Sequence, residues 1–428
     1  MERKMRSFFM YARRSLRRGW ARNKQLATMA KNGNKALGEA KKQKKDEFYT
    51  QLSDINNELR HYTQHFEGKI VFCNCDDPYE SNFFKYFAAN FNALKLKRLI
   101  ATCYAGSPVA GRQLDLFEDD AAVMALHNGH DNIESRHIGG DRPRIPHKIV
   151  INEVTDVNGD GRIDLADVEW LIKNDKNVLS RLKGDGDFRS AECVELLKES
   201  DVVVTNPPFS LFREYVAQLV QHGKKFLIIG RQDAVTYKEI FPLIKAGKIW
   251  LGHGFPKGNA YFAIPKNNVR DFANGVYDVE TGLVKFRNCT WFTNLDHKKR
   301  HEEYVSVRKY NPTDYPQLDN FDAILVEETV DVPEGFEGNM AVPFSFLDRH
   351  NPNQFEIVGI TKTWDGGATK KYPKQIQVDA NGRRSTVSKL NDGAVLRLDV
   401  PPKGKTYYLV DGVPYVQRYP RIIIRRKK

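Results

Sequence analysis

At 428 residues, with 41% hydrophobic and 11% aromatic side chains, the chain is long enough for two domains and too apolar to be disordered. No apolar run approaches the roughly 18 residues that cross a bilayer, and the Arg-rich start lacks the apolar stretch of a secretory leader. Those features exclude membrane and exported classes and lead us to expect a cytoplasmic protein with no membrane partner.

Residues 1–45 carry 15 Lys/Arg against two acids, Glu2 and Glu39, and so account for the whole formal charge of +13. Arg13, Arg14, Arg17 and Arg18 are spaced to share one helix face. A basic arm of this kind suits a polyanion such as nucleic acid, through release of phosphate counterions; a solubilising tail fits the charge equally well. The five cysteines (Cys73, Cys75, Cys103, Cys193, Cys289) are odd in number and form no CxxC pair, which predicts free thiols in a reducing compartment.

Past the arm, Asp46–Glu67 has amphipathic helical spacing. Lys69–Asn74 reads as a buried strand, Ser81–Ala93 as a helix and Arg98–Tyr104 as a second strand. Residues 106–180 begin with Gly, Asp and His fragments and read as an insertion. Strand and helix return at Lys148–Val154 and Leu165–Lys173. They are followed by a strand at Val202–Thr205, a helix at Leu211–Gln221 and a strand at Lys225–Ile229. A helix at Tyr237–Ala246 and a strand at Lys248–Leu251 complete the series. This alternation predicts an α/β fold with a doubly wound, mostly parallel sheet over residues 46–258, its site at the strand C-termini. Residues 259–428 turn to strands and aromatics and end in a basic tail (Arg418, Arg421, Arg425, Arg426, Lys427, Lys428); we expect there a separate, mostly β target-recognition part.

The chemistry concentrates in Asp201-Val-Val-Val-Thr-Asn-Pro-Pro-Phe-Ser210. The valines form a buried strand that releases the chain at Asn206, on the edge where such sheets bind ligands. Two prolines fix the backbone and present carbonyls without N–H donors of their own. Asn206 and the Pro207 carbonyl, with Pro208 holding the turn, can accept both N–H bonds of one amino group. That suits adenine N6, a poor nucleophile whose developing positive charge two acceptors favour. Phe209 offers a flat apolar face for a base taken out of its stack. A proline-rich loop closing a strand is the plainer reading, and the context on both sides weighs against it.

Asp156-Val-Asn-Gly-Asp-Gly-Arg-Ile-Asp-Leu-Ala-Asp167 fits a twelve-residue EF-hand loop, with oxygen ligands Asp156, Asn158, Asp160, Asp164 and Asp167 and a turn at Gly161. Asp in the last position shortens the usual bidentate arm. A structural calcium ion is one expectation; an Asx-rich loop capping the next helix without metal is the other.

Asn-Pro-Pro-Phe resembles the catalytic motif of amino-methyltransferases, and its surroundings resemble the EcoRI-type adenine-specific DNA methylases. The matching stretches are Lys45–Gln51, Cys73–Ser81, Gly184–Ser190, Thr205–Phe212, Tyr237–Leu243 and Trp291–Asn294. The resemblance implies a Rossmann-like fold, S-adenosylmethionine as methyl donor, double-stranded DNA as substrate and direct in-line transfer to a flipped adenine. It implies that Phe48, Tyr49 and Thr50 pack against the methionine end of the cofactor, and that Asp187 and Phe188 hold its adenine. The usual glycine-rich loop is replaced by Asn74-Cys-Asp-Asp-Pro78, and the second strand ends without the acid that normally holds the ribose. Asn74, Asp76 and Asp77 are therefore the cofactor candidates there, with helix capping an alternative for the two aspartates. Methylation of RNA or of a protein glutamine, and a nucleic-acid-binding relative without activity, are the competing functions. Phe209 and the basic arm favour DNA. No stable protein partner is implied, and the sequence leaves open whether a restriction endonuclease belongs to the same system.

Overall fold

The computed structural model describes residues 49–75, 81–103, 146–157, 159, 165–174, 179–263 and 275–427. The basic arm, Phe48, Asp76, Asp77, Asn158, Asp160, Asp164 and Lys428 lie outside the described residues.

An eight-stranded sheet organises the first part of the chain. Its strands are β2 (Ile70–Asn74), β3 (Arg98–Thr102), β4 (His147–Ile151), β5 (Leu179–Arg181), β6 (Val202–Thr205), β7 (Lys225–Arg231), β8 (Trp250–Leu251) and β11 (Cys289–Thr293). They lie in the order β5-β4-β3-β2-β6-β7-β11-β8. Successive side chains on β2, β6 and β7 enter opposite cores, as period-two geometry requires of strands covered on both faces. Phe72, Val203 and Ile228 face one core, together with α4 (Ala191–Glu199), α5 (Phe212–Gln221) and α6 (Phe241–Lys245). Val71, Val204 and Ile229 face the other, with α1 (Leu52–Leu59), α2 (Asn82–Ala89) and α3 (Leu165–Asn174). The α/β class expected from the sequence is what these layers form.

The sheet is mixed. The four central strands β3-β2-β6-β7 run parallel, whereas β4 is antiparallel to β3, β5 to β4, and β11 to both β7 and β8. The parallel expectation thus holds for the centre of the sheet and not for its flanks. A buried apolar run carries no direction, so β4 reads the same whichever way it pairs. The helix expected over Tyr237–Ala246 is shorter: a 3-10 turn covers Gln232–Thr236, and Pro242 in the first turn of α6 sets a new helix start.

The change of character at residue 259 does not divide the sheets. β9 (Asn259–Ala263) and β10 (Leu283–Arg287) join β1 (Tyr49–Thr50) in a three-stranded antiparallel sheet. The chain then returns as β11 to the large sheet, with Trp291 buried in one core and Phe292 in the other. Aromatics on both faces of one strand require cover on both sides, and the two cores supply it.

From β9 onward the described elements are strands and short 3-10 turns. A four-stranded sheet has the order β12 (Ile324–Leu325), β13 (Met340–Pro343), β20 (Arg421–Arg426), β14 (Phe355–Ile360). Its inner residues Ile324, Met340 and Ile422 extend the core that covers α4, α5 and α6. A five-stranded sheet has the order β16 (Arg384–Val387), β15 (Gln375–Val378), β18 (Tyr407–Val410), β19 (Val413–Arg418), β17 (Ala394–Arg397). It packs its own cluster around Tyr372, Val395 and Tyr408. No disulfide joins any of the five cysteines, all of which are described residues.

The indole of Trp291 is fully buried. Trp291→Ala is expected to cost about 3–5 kcal/mol in denaturant unfolding, the range for removing an aromatic side chain from a packed core.

Candidate active site

β2 and β6 pair in parallel, Phe72 opposite Val203, so their C-terminal residues Asn74 and Thr205 emerge side by side. Two hydrogen bonds lock them: Thr205 Oγ1 donates to the Asn74 carbonyl, and the Tyr215 hydroxyl of α5 donates to Asn74 Oδ1. Asn74 is 1% exposed, and its Nδ2 meets no acceptor among the described residues. A buried amide donor without a partner is costly unless something else supplies an acceptor.

Thr205 hands the chain to Asn206 and Pro207, the second of which is buried. The Pro208 carbonyl accepts from Leu211 N at 3.0 Å, closing the 3-10 turn Phe209–Leu211 that leads into α5. Phe209 is half-buried. Its ring meets two others edge-to-face, Phe262 of β9 at 6.3 Å and Phe286 of β10 at 6.0 Å. Phe262 and Phe286 are themselves T-shaped at 5.3 Å. Three mutually edge-on rings hold one another in a single orientation. Thr50 pairs with Phe262 across the β1–β9 ladder, and its carbonyl accepts from Asn82 Nδ2 at 2.6 Å. Tyr49 and Thr50 therefore lie on the same small sheet that supports Phe209.

The Gly184–Ser190 loop closes on the same edge. Gly186 has φ +72°, and a Cβ there would stand 2.2 Å from the Cys103 carbonyl just beyond β3. Only glycine permits that approach with that backbone. Asp187 accepts from Arg189 Nε at 2.8 Å and Nη2 at 2.7 Å through its two oxygens, and Arg189 Nη1 reaches Glu214 of α5 at 2.9 Å. Phe188 is 4% exposed, with its ring T-shaped on Tyr215 at 5.1 Å and its carbonyl accepting from Gln218 Nε2 at 3.1 Å. Tyr215 thus touches Phe188 with its ring and Asn74 with its hydroxyl. Ser81 Oγ caps α2 by accepting from Phe83 N at 3.1 Å.

The structure accordingly brings Asn74, Asp187, Phe188 and the Asn206–Phe209 turn to one sheet edge, with Tyr49 and Thr50 joined to it through Phe262. Tyr215 and Gly186 were not read from the sequence. Tyr215 has the helical spacing of a core residue, and nothing local marks its reach to Asn74.

The calcium expectation finds no support. Asp156 Oδ1 accepts from Gly159 N at 2.7 Å, and Asp167, fully buried, accepts from Val157 N at 2.9 Å. Asp156 closes an Asx-type turn, and Asp167, in the first turn of α3, ties the helix back to that loop. Among the described residues no group of three or more His, Cys, Asp or Glu is arranged to hold a metal ion. No described helix is long and apolar enough to cross a membrane.

Residues 36–427 match the family described as the adenine-specific methyltransferase EcoRI. The chain belongs to this family. It is 43% identical over 346 residues to the Type II methyltransferase M.EcoRI of Escherichia coli, covering 79% of this chain and 93% of that protein. It is 32% identical over 360 residues to the Type II methyltransferase M.MgeORF184P of Mycoplasma genitalium, covering 81% and 95%. To M.MpnI of Mycoplasma pneumoniae, also a Type II methyltransferase, it is 34% identical over 324 residues, covering 74% and 83%. No solved structure matches the chain. It is an enzyme, an adenine-specific DNA methyltransferase, and the family takes its methyl group from S-adenosylmethionine.

Gly186→Ala is expected to push the Asp187–Phe188 loop off β3 and to cost about 1–3 kcal/mol, the strain of a left-handed backbone at a residue with a side chain. A lowered midpoint of chemical denaturation measures it.

Proposed function

We propose that the enzyme methylates N6 of an adenine turned out of duplex DNA, on a Rossmann-like, doubly wound frame whose parallel centre carries the site. The observation that carries this reading is the convergence of Asn74, Asp187–Phe188 and Asn206–Phe209 at the C-terminal ends of β2 and β6.

The residues present fit the methyl donor. Asn74 Nδ2 and Thr50 Oγ1 are buried polar atoms without hydrogen-bond partners among the described residues, so a ligand rich in oxygen and nitrogen acceptors satisfies what the fold leaves open. Asn74 is assigned to cofactor binding on this basis, with Thr50 and its neighbour Tyr49 at the methionine end; Asp187 and Phe188 are assigned by their place beside Asn74 at the strand ends, and Phe48, Asp76 and Asp77 by their place in the sequence. When bound, S-adenosylmethionine supplies a methyl group already activated by its sulfonium.

The chain's own work is on the base. Asn206 Oδ1 and the Pro207 carbonyl accept the two N–H bonds of the target amine and favour the positive charge that grows there as nitrogen attacks in line. Pro207 and Pro208 fix that pair of acceptors. Phe209, held edge-on by Phe262 and Phe286, keeps one ring orientation against which the extruded base stacks.

DNA contact is expected beside this turn. On β9 and β10 the inner residues Phe262 and Phe286 face Phe209, and strand alternation sends Tyr261, Lys285 and Arg287 outward. Tyr261 is 40% exposed with Lys285 Nζ 5.7 Å from its ring centre. Cations and an exposed aromatic on that face suit a phosphate backbone, as does the surplus of basic residues in 1–45. The strands beyond β11 are read as the target-recognition part. By the Type II naming of the relatives, a restriction endonuclease acting on the same DNA sequence is the expected counterpart.

Asn206→Ala is expected to abolish N6-methyladenine in plasmid DNA from expressing cells, read by single-molecule sequencing, while purified protein still binds S-adenosylmethionine in calorimetry. Retained methylation would overturn the role of Asn206. Replacing Lys285 and Arg287 by glutamine together is expected to weaken DNA binding uniformly across sequences and to lower the salt slope by about 2. An unchanged slope in a salt titration would remove that face from the interface.

A further inference from the structure

The methyl-transfer reading does not use α1, where a carboxylate is buried against the segment that carries His253. Glu58, in the last turn of α1, is 1% exposed. Its Oε1 accepts from the Tyr62 hydroxyl at 2.8 Å and from His253 N at 2.7 Å, and its Oε2 accepts from Gly254 N at 3.0 Å. The approach depends on Gly252, where a Cβ would stand 2.3 Å from Glu58 Oε1 and 2.8 Å from the Trp291 side chain.

The segment held in this way has a specific destination. It leaves β8 at the edge of the large sheet, and after the turn Pro256–Gly258 it becomes β9. β9 delivers Phe262, which sits against Phe209 and pairs with Thr50. A second clamp acts on the same segment: the His61 and His253 rings stack at 3.5 Å and 6°. Lys299 Nζ donates to the His253 carbonyl at 2.8 Å.

We propose that Glu58 is a positioning residue for methyl transfer: its carboxylate, bonded to the backbone of His253 and Gly254, fixes the strap that sets Phe262 behind Phe209. The inference rests on the assignment of the Asn206–Phe209 turn as the transfer site.

Protonation alters this clamp. The carboxylate offers acceptors on both oxygens; the neutral acid turns one oxygen into a donor that faces an N–H or O–H already donating. Burial pushes the Glu58 carboxyl up from 4.5 to about 7, against the bonds from His253, Tyr62 and Gly254 and the charge of Lys299, which favour ionisation. His253, His297 and Tyr62 do not share that titration. Burial holds His253 down to about 3 and His297 to about 4, and it lowers His61, which Arg60 and Lys299 also depress. Burial drives the Tyr62 hydroxyl far above its ordinary value, and the His65 ring lies 6.4 Å from the Tyr62 ring.

Stability and rate therefore move in opposite directions with pH. The folded value lies above the unfolded one, so the stability contributed by protonated Glu58 is full below 4.5 and is lost as pH rises through about 7. The transfer rate instead rises over that range as the clamp forms. Glu58→Gln imitates the protonated side chain at every pH.

The test is single-turnover transfer of labelled methyl from S-adenosylmethionine to adenine in unmethylated plasmid DNA, at saturating DNA, below and above neutrality. The natural enzyme is expected to speed up with a midpoint near 7, and Glu58→Gln to lose that rise. Above neutrality the variant is expected to be about tenfold to a hundredfold slower, as for a small misplacement of the reacting groups. Its thermal midpoint there is expected to be no lower than that of the natural enzyme. Tyr62→Phe removes one bond to the ionised form and is expected to move the midpoint upward. A Glu58→Gln enzyme with the natural pH profile and rate would overturn the proposal, as would a rate loss matched by a loss of thermal stability above neutrality. Absence of methylated adenine with the natural enzyme would count against the transfer-site reading itself, a result distinguishable from either.

Discussion

Asn74 stands where the last residues of the two central strands meet, and the geometry of the site follows from how its polar atoms are spent. Its carbonyl accepts from Thr205, which fixes the exit of β6 and hence the start of the Asn-Pro-Pro-Phe turn. Its Oδ1 accepts from Tyr215, which draws α5 onto the sheet and carries Phe188 with it through the ring contact. What is left, a buried Nδ2, points the chemistry toward a ligand. A glycine at this position would free the backbone for close approach but could not join the two strands to α5. The absence of a glycine-rich loop after β2 is in this sense a different construction, in which a side chain performs the anchoring.

The second organising contact is aromatic. Phe209, Phe262 and Phe286 bring together the Asn-Pro-Pro-Phe turn and a strand pair some fifty residues downstream, and β1 completes that sheet from the other end of the described chain. The large sheet, the small sheet and α1 are thereby coupled through a few contacts: Phe209 on Phe262, Thr50 beside Phe262, and Glu58 on the strap leading to β9. Because the strap spans from the sheet edge to the site, a change in a carboxylate remote from the turn acts on the turn's support.

Much of this was legible from local pattern. The strands at Ile70–Asn74 and Val202–Thr205 and the helix before Gln221 fall within a residue or two of where burial periodicity puts them. The motif's place at the end of a buried strand was legible as well, and the chemistry proposed for it rests on residue type. The insertion of β11 was not legible, since Cys289–Thr293 looks like any apolar run and its partners β7 and β8 lie dozens of residues upstream. The reversed direction of β4 was hidden for the same reason. The EF-hand spacing shows the converse: a full pattern of oxygen ligands, of which the two described carboxylates, Asp156 and Asp167, bond to loop amides.

By itself the sequence determined the class of fold, the position of the Asn-Pro-Pro-Phe turn after a buried strand and the kinship that names the reaction, because these depend on short-range periodicity and on contiguous residues. Tertiary structure alone decided which side chains support that turn. Tyr215 reaching Asn74, Gly186 admitting the Asp187–Phe188 loop to β3, and Glu58 holding the backbone of His253 and Gly254 are all pairings between distant segments. Each depends on a close approach or a buried hydrogen bond whose partners become neighbours only after the two cores have packed.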